Sequence, residues 1–208
     1  RIIIFNLDSE NGDANLHKAS FTNMIIDGKK EAEILRQEIK KEIESIKSKN
    51  NRVPGLTVIL IGDFAPSHIY VKNKEKSAKE VGINSNVVRY SKEVKEEEVL
   101  KKIEDLNNDT NVSGILVQLP LPPQINKEKI INAVSPKKDV DGFHPINVGN
   151  LSSGHNALVP CTPLGCLYLI KKVEKNLSGK HAVIIGRSNL NGKPMAQLLL
   201  KEHCTVTI

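Results

Sequence analysis

The chain of 208 residues contains no Trp, and aromatics make up only 3% of it. A surface that stacks single-stranded bases needs aromatic rings, so this scarcity argues against a nucleic-acid platform. The formal charge is +6. Its Lys residues are spread through the chain and form no single basic stripe of the kind that tracks a phosphate backbone. Cysteine is equally sparse: Cys161, Cys166 and Cys204 form no C-x-x-C pair and no His-spaced ligand set. They read as reduced thiols of an intracellular protein. No apolar run reaches transmembrane length, so no membrane segment is expected. The opening "RIIIF" is apolar but short and runs into a polar stretch. Residues 1–20 are therefore expected to be a poorly ordered extension or the remnant of a leader. What remains is an ordinary globular composition, 39% hydrophobic and 26% charged, and enough chain for one large or two small cores without staples.

The patterning alternates. Asp27 can cap a helix over residues 28–49, with Ala32, Leu35, Ile39, Ile43 and Ile46 on one face. "LTVILIG" (residues 56–62) is a continuous apolar run, the mark of a strand covered on both faces. A helix over 68–81, a strand "NVVRY", a charged amphipathic helix over 96–106, a strand "SGILVQL" and a short helix over 126–133 follow. This order predicts an α/β domain with a parallel sheet over residues 21–159. Residues 136–160 read mostly as loop. At "CTPLG" a helix restarts, with Thr162 as cap and Pro163 in its first turn. From residue 160 onward, "LSGKHAVIIGRSNLNGKPMAQLLLKEHCTVTI" reads as strand, glycine loop, helix and strand, the opening unit of a Rossmann-type NAD(P)-binding domain. Two strands make no stable sheet alone, so this domain is expected to be truncated in its C-terminal part.

Four stretches carry candidate chemistry. In "YVKNKEK", helical spacing puts Tyr70, Lys74, Ser77, Ala78 and Val81 on one face and Lys72, Lys76 and Lys79 on the other. Lys74 alone is thus expected to point toward the apolar side, where burial can make a lysine a proton carrier. The alternative is an i,i+4 pair whose lysine reaches back to water. Gln118 ends a buried strand, where ligands of open α/β sheets collect; it can contact a ligand, hold a lysine, or satisfy loop backbone. In "KKDVDGFHP", Asp139 and Asp141 would face the same way if the segment is extended. They offer a metal site (the weakest option, lacking a third ligand), an anchor for a polar heterocycle, or a turn before Gly142. "GRSNLNGKP" lies between a strand and a helix, the setting of a phosphate-binding loop, with Ser188 at the second glycine position and one extra residue. Arg187 adds a charge for a phosphate. Cys161 at a helix start has the setting of an activated thiol, but with no His partner it reads as structural.

Together these segments resemble the bifunctional methylenetetrahydrofolate dehydrogenase/methenyltetrahydrofolate cyclohydrolase family. The resemblance rests on Tyr70-x-x-x-Lys74, "VQLPLP" (117–122), "KDVDGFHPINVG" (138–149), "PCTP" (160–163) and "GRSNLNGKPM" (186–195), in that order. It spans about residues 24–208 and implies a cleft between a catalytic α/β domain and a Rossmann domain. The implied enzyme oxidises 5,10-methylenetetrahydrofolate with NADP, NAD being the alternative, and hydrolyses the methenyl product to 10-formyltetrahydrofolate. By resemblance, Lys74 transfers protons, Gln118 positions it, Tyr70 packs along the folate rings, and Ser67 and Asp141 complete the substrate site. Gly186, Arg187, Ser188 and Gly192 form the cofactor loop. The resemblance also implies a homodimer; the expected compartment is the cytoplasm, with an organelle as the alternative. Two departures stand out: Asn191 replaces an apolar residue before Gly192, and "FAPS" rearranges "DPAS". Another two-domain dehydrogenase would not explain "VQLPLP" and "KDVDG" together. A non-catalytic folate- or nucleotide-binding module predicts binding without turnover, and a purely structural α/β fragment predicts neither.

Overall fold

The computed structural model describes residues 2–5, as backbone, and 25–208. Residues 2–5 form a strand, β1 (Ile2–Phe5). The rest of the extension expected over residues 1–20 lies outside the described residues.

Helix α1 (Gly28–Asn50) starts as its sequence dictates, with the Asp27 carboxylate accepting from the amides of Lys29 and Lys30 at 3.1 and 3.0 Å. These are amides an α-helix cannot satisfy internally. Its apolar stripe does not pack as expected. Only Ile43 is buried, against Gly82, while Leu35 and Ile46 stay more than a third exposed.

Strand β2 (Gly55–Ile61) is the centre of a parallel sheet, flanked by β3 (Asn84–Tyr90) and β4 (Gly114–Val117). Its residues alternate between two cores. Ile59 and Ile61 join Ile103 of α3 (Glu96–Asn108) and Ile130 of α4 (Lys127–Ala133). Val58 and Leu60 join Val71 of α2 (Ala65–Glu80). Burial on both faces is why this strand reads as an unbroken apolar run.

Helix α2 begins earlier than the spacing predicts. Pro66 occupies its first turn, where a missing amide costs no hydrogen bond, so Ser67 falls inside the helix rather than before it. Residues 136–160 are mostly loop, as expected, but they also hold one helix that the pattern did not show. His144 caps α5 (Pro145–Ser152), its Nδ1 accepting from the Ile146 amide at 3.1 Å, and Pro145 fills the first helical position. Thr162 is not a cap. Helix α6 (Cys161–Val173) starts two residues earlier than such a cap would place it, after Pro160, and makes no side-chain cap.

A third core gathers Leu167 of α6, Ala182 and Ile184 of β5 (His181–Ile184), and Leu198 and Leu199 of α7 (Gly192–Lys201). Strand β5 pairs in parallel with β6 (Thr205–Thr207) and antiparallel with β1. Leu151 of α5 also enters this core, so α5 bridges the two halves of the molecule.

Candidate active site

The C-terminal ends of β2 and β4 open toward α2, and the site is assembled there. The backbone amide of Gln118 continues the ladder by donating to the Ile59 carbonyl at 2.9 Å. Its side-chain nitrogen donates to the Leu119 carbonyl at 2.8 Å. A carbonyl can only accept, so the amide orientation follows, and Oε1 faces away from Leu119. Lys74 donates to that Oε1 from Nζ at 3.1 Å. Ser67, buried at the start of α2, donates from Oγ to the same Leu119 carbonyl at 3.5 Å. One carbonyl therefore ties α2 to the loop that carries Gln118.

The helical-face expectation for Lys74 needs correcting. The face of α2 that enters the core is Ser67, Val71 and Ala78, and Lys74 and Tyr70 are exposed. The two do lie on one side, a turn apart, but that side borders the open site. Tyr70 is 59% exposed, so its ring is uncovered. Lys72, Lys76 and Lys79 are exposed as well, and Lys79 pairs with Glu75 at 2.7 Å.

Asp139 and Asp141 are not side by side on an extended strand. The Gly142 amide donates to the Asp139 carbonyl at 3.1 Å, and Gly142 adopts φ +67. This is a tight turn that suits glycine. Asp139 is buried, and its Oδ2 accepts from the His144 amide at 2.8 Å and from Asn147 Nδ2 at 2.9 Å. Asp141 is mostly buried. Loss of hydration pushes its carboxyl up to about 6; the Asp139 charge pushes the same way and the Lys74 charge opposes it. Both carboxylates line a cavity of about 20 Å³ with Ile115, Val117, Leu119 and Phe143, room for about one water. It can be part of a floor but cannot hold a ring system. Among the described residues, no group of three or more His, Cys, Asp or Glu could hold a metal ion.

Cys161 stands at the start of α6, its Sγ 3.8 Å from the Val140 carbonyl. Burial and the Asp141 charge push this thiol up despite Lys74, the opposite of an activated nucleophile.

The glycine loop runs from Gly186, at φ +122, to Asn191. A Cβ on Gly192 would lie 1.9 Å from the Gly186 carbonyl oxygen, so only glycine closes this turn. Ser188 organises the interior: its Oγ accepts from the Asn191 amide and its carbonyl from the Lys193 amide, each at 3.1 Å. Pro194 has no amide to give. The loop thus uses several helix-start donors on itself and leaves the Arg187 and Ser188 side chains exposed.

Sequence reasoning did not single out Lys138 or Asn147. The three donors of the Lys138 ammonium reach the carbonyls of Leu106, Asn107 and Asp109 at 2.9, 2.8 and 2.7 Å, closing the end of α3. A signal existed, since α3 has no basic residue in its own last turn. For Asn147 there was none.

The pattern of the tetrahydrofolate dehydrogenase/cyclohydrolase catalytic domain matches residues 26–141, and that of its NAD(P)-binding domain matches 160–208. The chain is 65% identical over 185 residues to the bifunctional protein FolD of Pelagibacter ubique, covering 89% of this chain and 66% of that protein. It is 54% identical over 187 residues to FolD of Rickettsia bellii, with the same coverage. The chain thus spans just under two thirds of the length of these curated relatives. The crystal structure of the FolD dehydrogenase/cyclohydrolase from Campylobacter jejuni superposes with a TM-score of 0.85 at 45% identity, covering 88% of this chain and 65% of that one. The Trypanosoma brucei enzyme, solved with NADP and an inhibitor, gives 0.84 at 34%, covering 88% and 63%.

Proposed function

Because this chain belongs to the tetrahydrofolate dehydrogenase/cyclohydrolase family, we propose that its protein performs both reactions of that name. It oxidises 5,10-methylenetetrahydrofolate with NADP, and it hydrolyses the resulting 5,10-methenyl compound to 10-formyltetrahydrofolate. The observation that carries this reading is the Lys74–Gln118 hydrogen bond at 3.1 Å, with Asp141 near enough to feel the lysine's charge.

The methenyl carbon is cationic and open to water. Lys74 lies at an open face, so bound folate would cover it from solvent, and burial disfavours a charged amine. In its neutral form it takes a proton from the attacking water and returns one as the tetrahedral intermediate collapses. Gln118 holds the nitrogen through an amide whose own orientation is set by the Leu119 carbonyl. The uncovered Tyr70 ring stacks along the folate, Asp141 accepts from the donor-rich edge of the aminopyrimidine, and Ser67 holds α2 to the Gln118 loop.

The residues present fit a dinucleotide phosphate. Gly186 and Gly192 allow close backbone approach, the start of α7 favours negative charge, and Arg187 has no ion-pair partner among the described residues. NADP, when bound, accepts the hydride. Arg187 and the Ser188 hydroxyl hold its phosphates, more than a cradle of free amides does. NAD is the alternative cofactor.

We also propose a homodimer, for which the outer edge of β3, unpaired among the described residues, offers a surface. We place the protein in the cytoplasm; the bacterial relatives named above give an organellar location no support. Among the described residues, no helix is long and apolar enough to cross a membrane.

The test incubates the full-length protein with methylenetetrahydrofolate and NADP, with NAD in parallel, and follows methenyl formation and decay. Both steps are expected. Lys74→Ala should slow methenyl hydrolysis by about 10²–10⁴-fold, the usual weight of a proton-transfer group. Hydrolysis at the unmutated rate would remove Lys74 from this role, and binding without turnover would favour a non-catalytic module.

A further inference from the structure

We propose that Asp139 and Asn147 are positioning residues for the substrate site: together they fix the turn that presents Asp141 beside Lys74. This rests on the assignment of Asp141 to the substrate site.

The geometry is that of a clamp. Asn147, itself buried, donates from Nδ2 to the Pro136 carbonyl at 2.9 Å and to Asp139 Oδ2 at 2.9 Å, and its Oδ1 accepts from the Leu158 amide at 3.4 Å. One side chain thus joins the beginning, the middle and the end of the segment 136–158. Gly142 closes the fourth side, because a Cβ there would lie 2.6 Å from the Leu158 carbonyl oxygen and 2.9 Å from Pro160. Lys138, one residue before Asp139, is locked to the end of α3 by three hydrogen bonds. Asp141 is the acidic group inside this frame, with its neighbours tied on both sides.

Asp139 is also electrically unusual. It is a buried carboxylate with no cationic partner within ion-pair distance among the described residues, an arrangement that is costly unless hydrogen bonds and dipoles replace water. Here the start of α5 supplies them, through the His144 amide and the side chain of Asn147 on its first turn. The resulting negative charge lies next to Asp141. The groups whose charges bear on Asp141 are Lys74 from α2 and Asp139 from its own turn; Cys161, from α6, faces it as a neutral thiol. Burial is the main reason the Asp141 carboxyl is pushed up; the Asp139 charge adds to it, and Lys74 opposes it.

Two variants of the full-length protein separate the parts of this proposal. Asp139→Asn removes the charge and keeps the volume; Asn147→Ala removes the clamp and keeps the charge. The titration of Asp141 is followed by carboxyl ¹³C NMR, which needs no turnover, and KM and kcat for methylenetetrahydrofolate are measured across pH. In Asp139→Asn the Asp141 midpoint should move to lower pH, and the acid limb of KM should follow it. In Asn147→Ala the KM should rise about tenfold with kcat little changed, the signature of lost positioning common to ground and transition states. An unmoved Asp141 midpoint in folded Asp139→Asn overturns the electrostatic role. An unchanged KM in folded Asn147→Ala overturns the clamp. If Asp139→Asn does not fold, Asn147→Ala decides the proposal. If the unmutated protein turns over no folate, the functional reading fails while the NMR arm still tests the electrostatics.

Discussion

In the turn around Asp139–Gly142, the strong polar groups find partners within the chain: Asp139 in His144 and Asn147, Asn147 in Pro136 and Leu158, Lys138 in three carbonyls. In the loop Gly186–Asn191, only the backbone and one hydroxyl are so engaged, and the Arg187 and Ser188 side chains face solvent. The turn that carries Asp141, proposed to meet folate, is therefore built before a ligand arrives, and its tied groups lose little freedom on binding. The loop proposed to bind the cofactor leaves a long side chain to be ordered by a ligand, which costs affinity for each rotamer fixed. The contrast follows from burial. A turn covered by α5 must satisfy its polar groups internally, whereas an exposed loop has water to do so.

Substitutions can break or sharpen this contrast. The largest effect is expected from Gly192→Ala, which drives a methyl group into the Gly186 backbone. It should lower stability in urea unfolding by about 1–3 kcal/mol or more, as overpacking does. NADP-dependent oxidation should fall while hydrolysis of added methenyltetrahydrofolate persists; equal loss of both would mean the two sides are not separately built.

Asp141→Asn should act in the opposite direction on stability. The Asp141 carboxyl titrates at about 6 in the folded chain, above its ordinary value. The stability this group contributes is complete below its unfolded value and is lost as pH rises through about 6. At pH 7 the native protein thus carries an ionised, poorly hydrated carboxylate, and the amide relieves it. Asp141→Asn should be more stable at pH 7 by an amount on the order of 1–3 kcal/mol, with the gain vanishing near pH 4 and folate KM raised. A variant no more stable at pH 7 would show that Asp141 is hydrated after all.

Ser188→Ala removes the acceptor for the Asn191 amide and an exposed hydroxyl. It should weaken NADP binding by about 0.5–1.5 kcal/mol, a single hydrogen bond's worth, read by calorimetry. Lys76→Ala should change nothing in kcat/KM, since Lys76 is 77% exposed and only loosely paired with Glu80 at 3.8 Å.

Much of the fold was legible. The doubly buried β2, the amphipathic α3 and the Asp27 cap all lie where residue pattern puts them. Helix α5 was hidden by its Gly, Asn and Pro content, although His144–Pro145 has the form of a cap followed by a first-position proline. The stripe on α1 was legible as a helix but not as a surface, because periodicity reports which residues share a face and says nothing of what covers it.

The same limit applies to the site. Helical spacing separated Lys74 from Lys72, Lys76 and Lys79, and that separation stands. It assigned the wrong environment, because the core face of α2 is the neighbouring one, through Ser67, Val71 and Ala78.

Residue order alone was enough to establish the α/β alternation and the family, and to single out the residues proposed to carry chemistry, because those depend on local periodicity and on motifs within a few positions. Only the folded chain decided that Lys74 meets Gln118 across 44 positions, and that Asp139 turns inward while Asp141 remains at the site. Both depend on contacts between segments distant in sequence. There a carbonyl, a helix start or a neighbouring charge supplies the energy that no local pattern encodes.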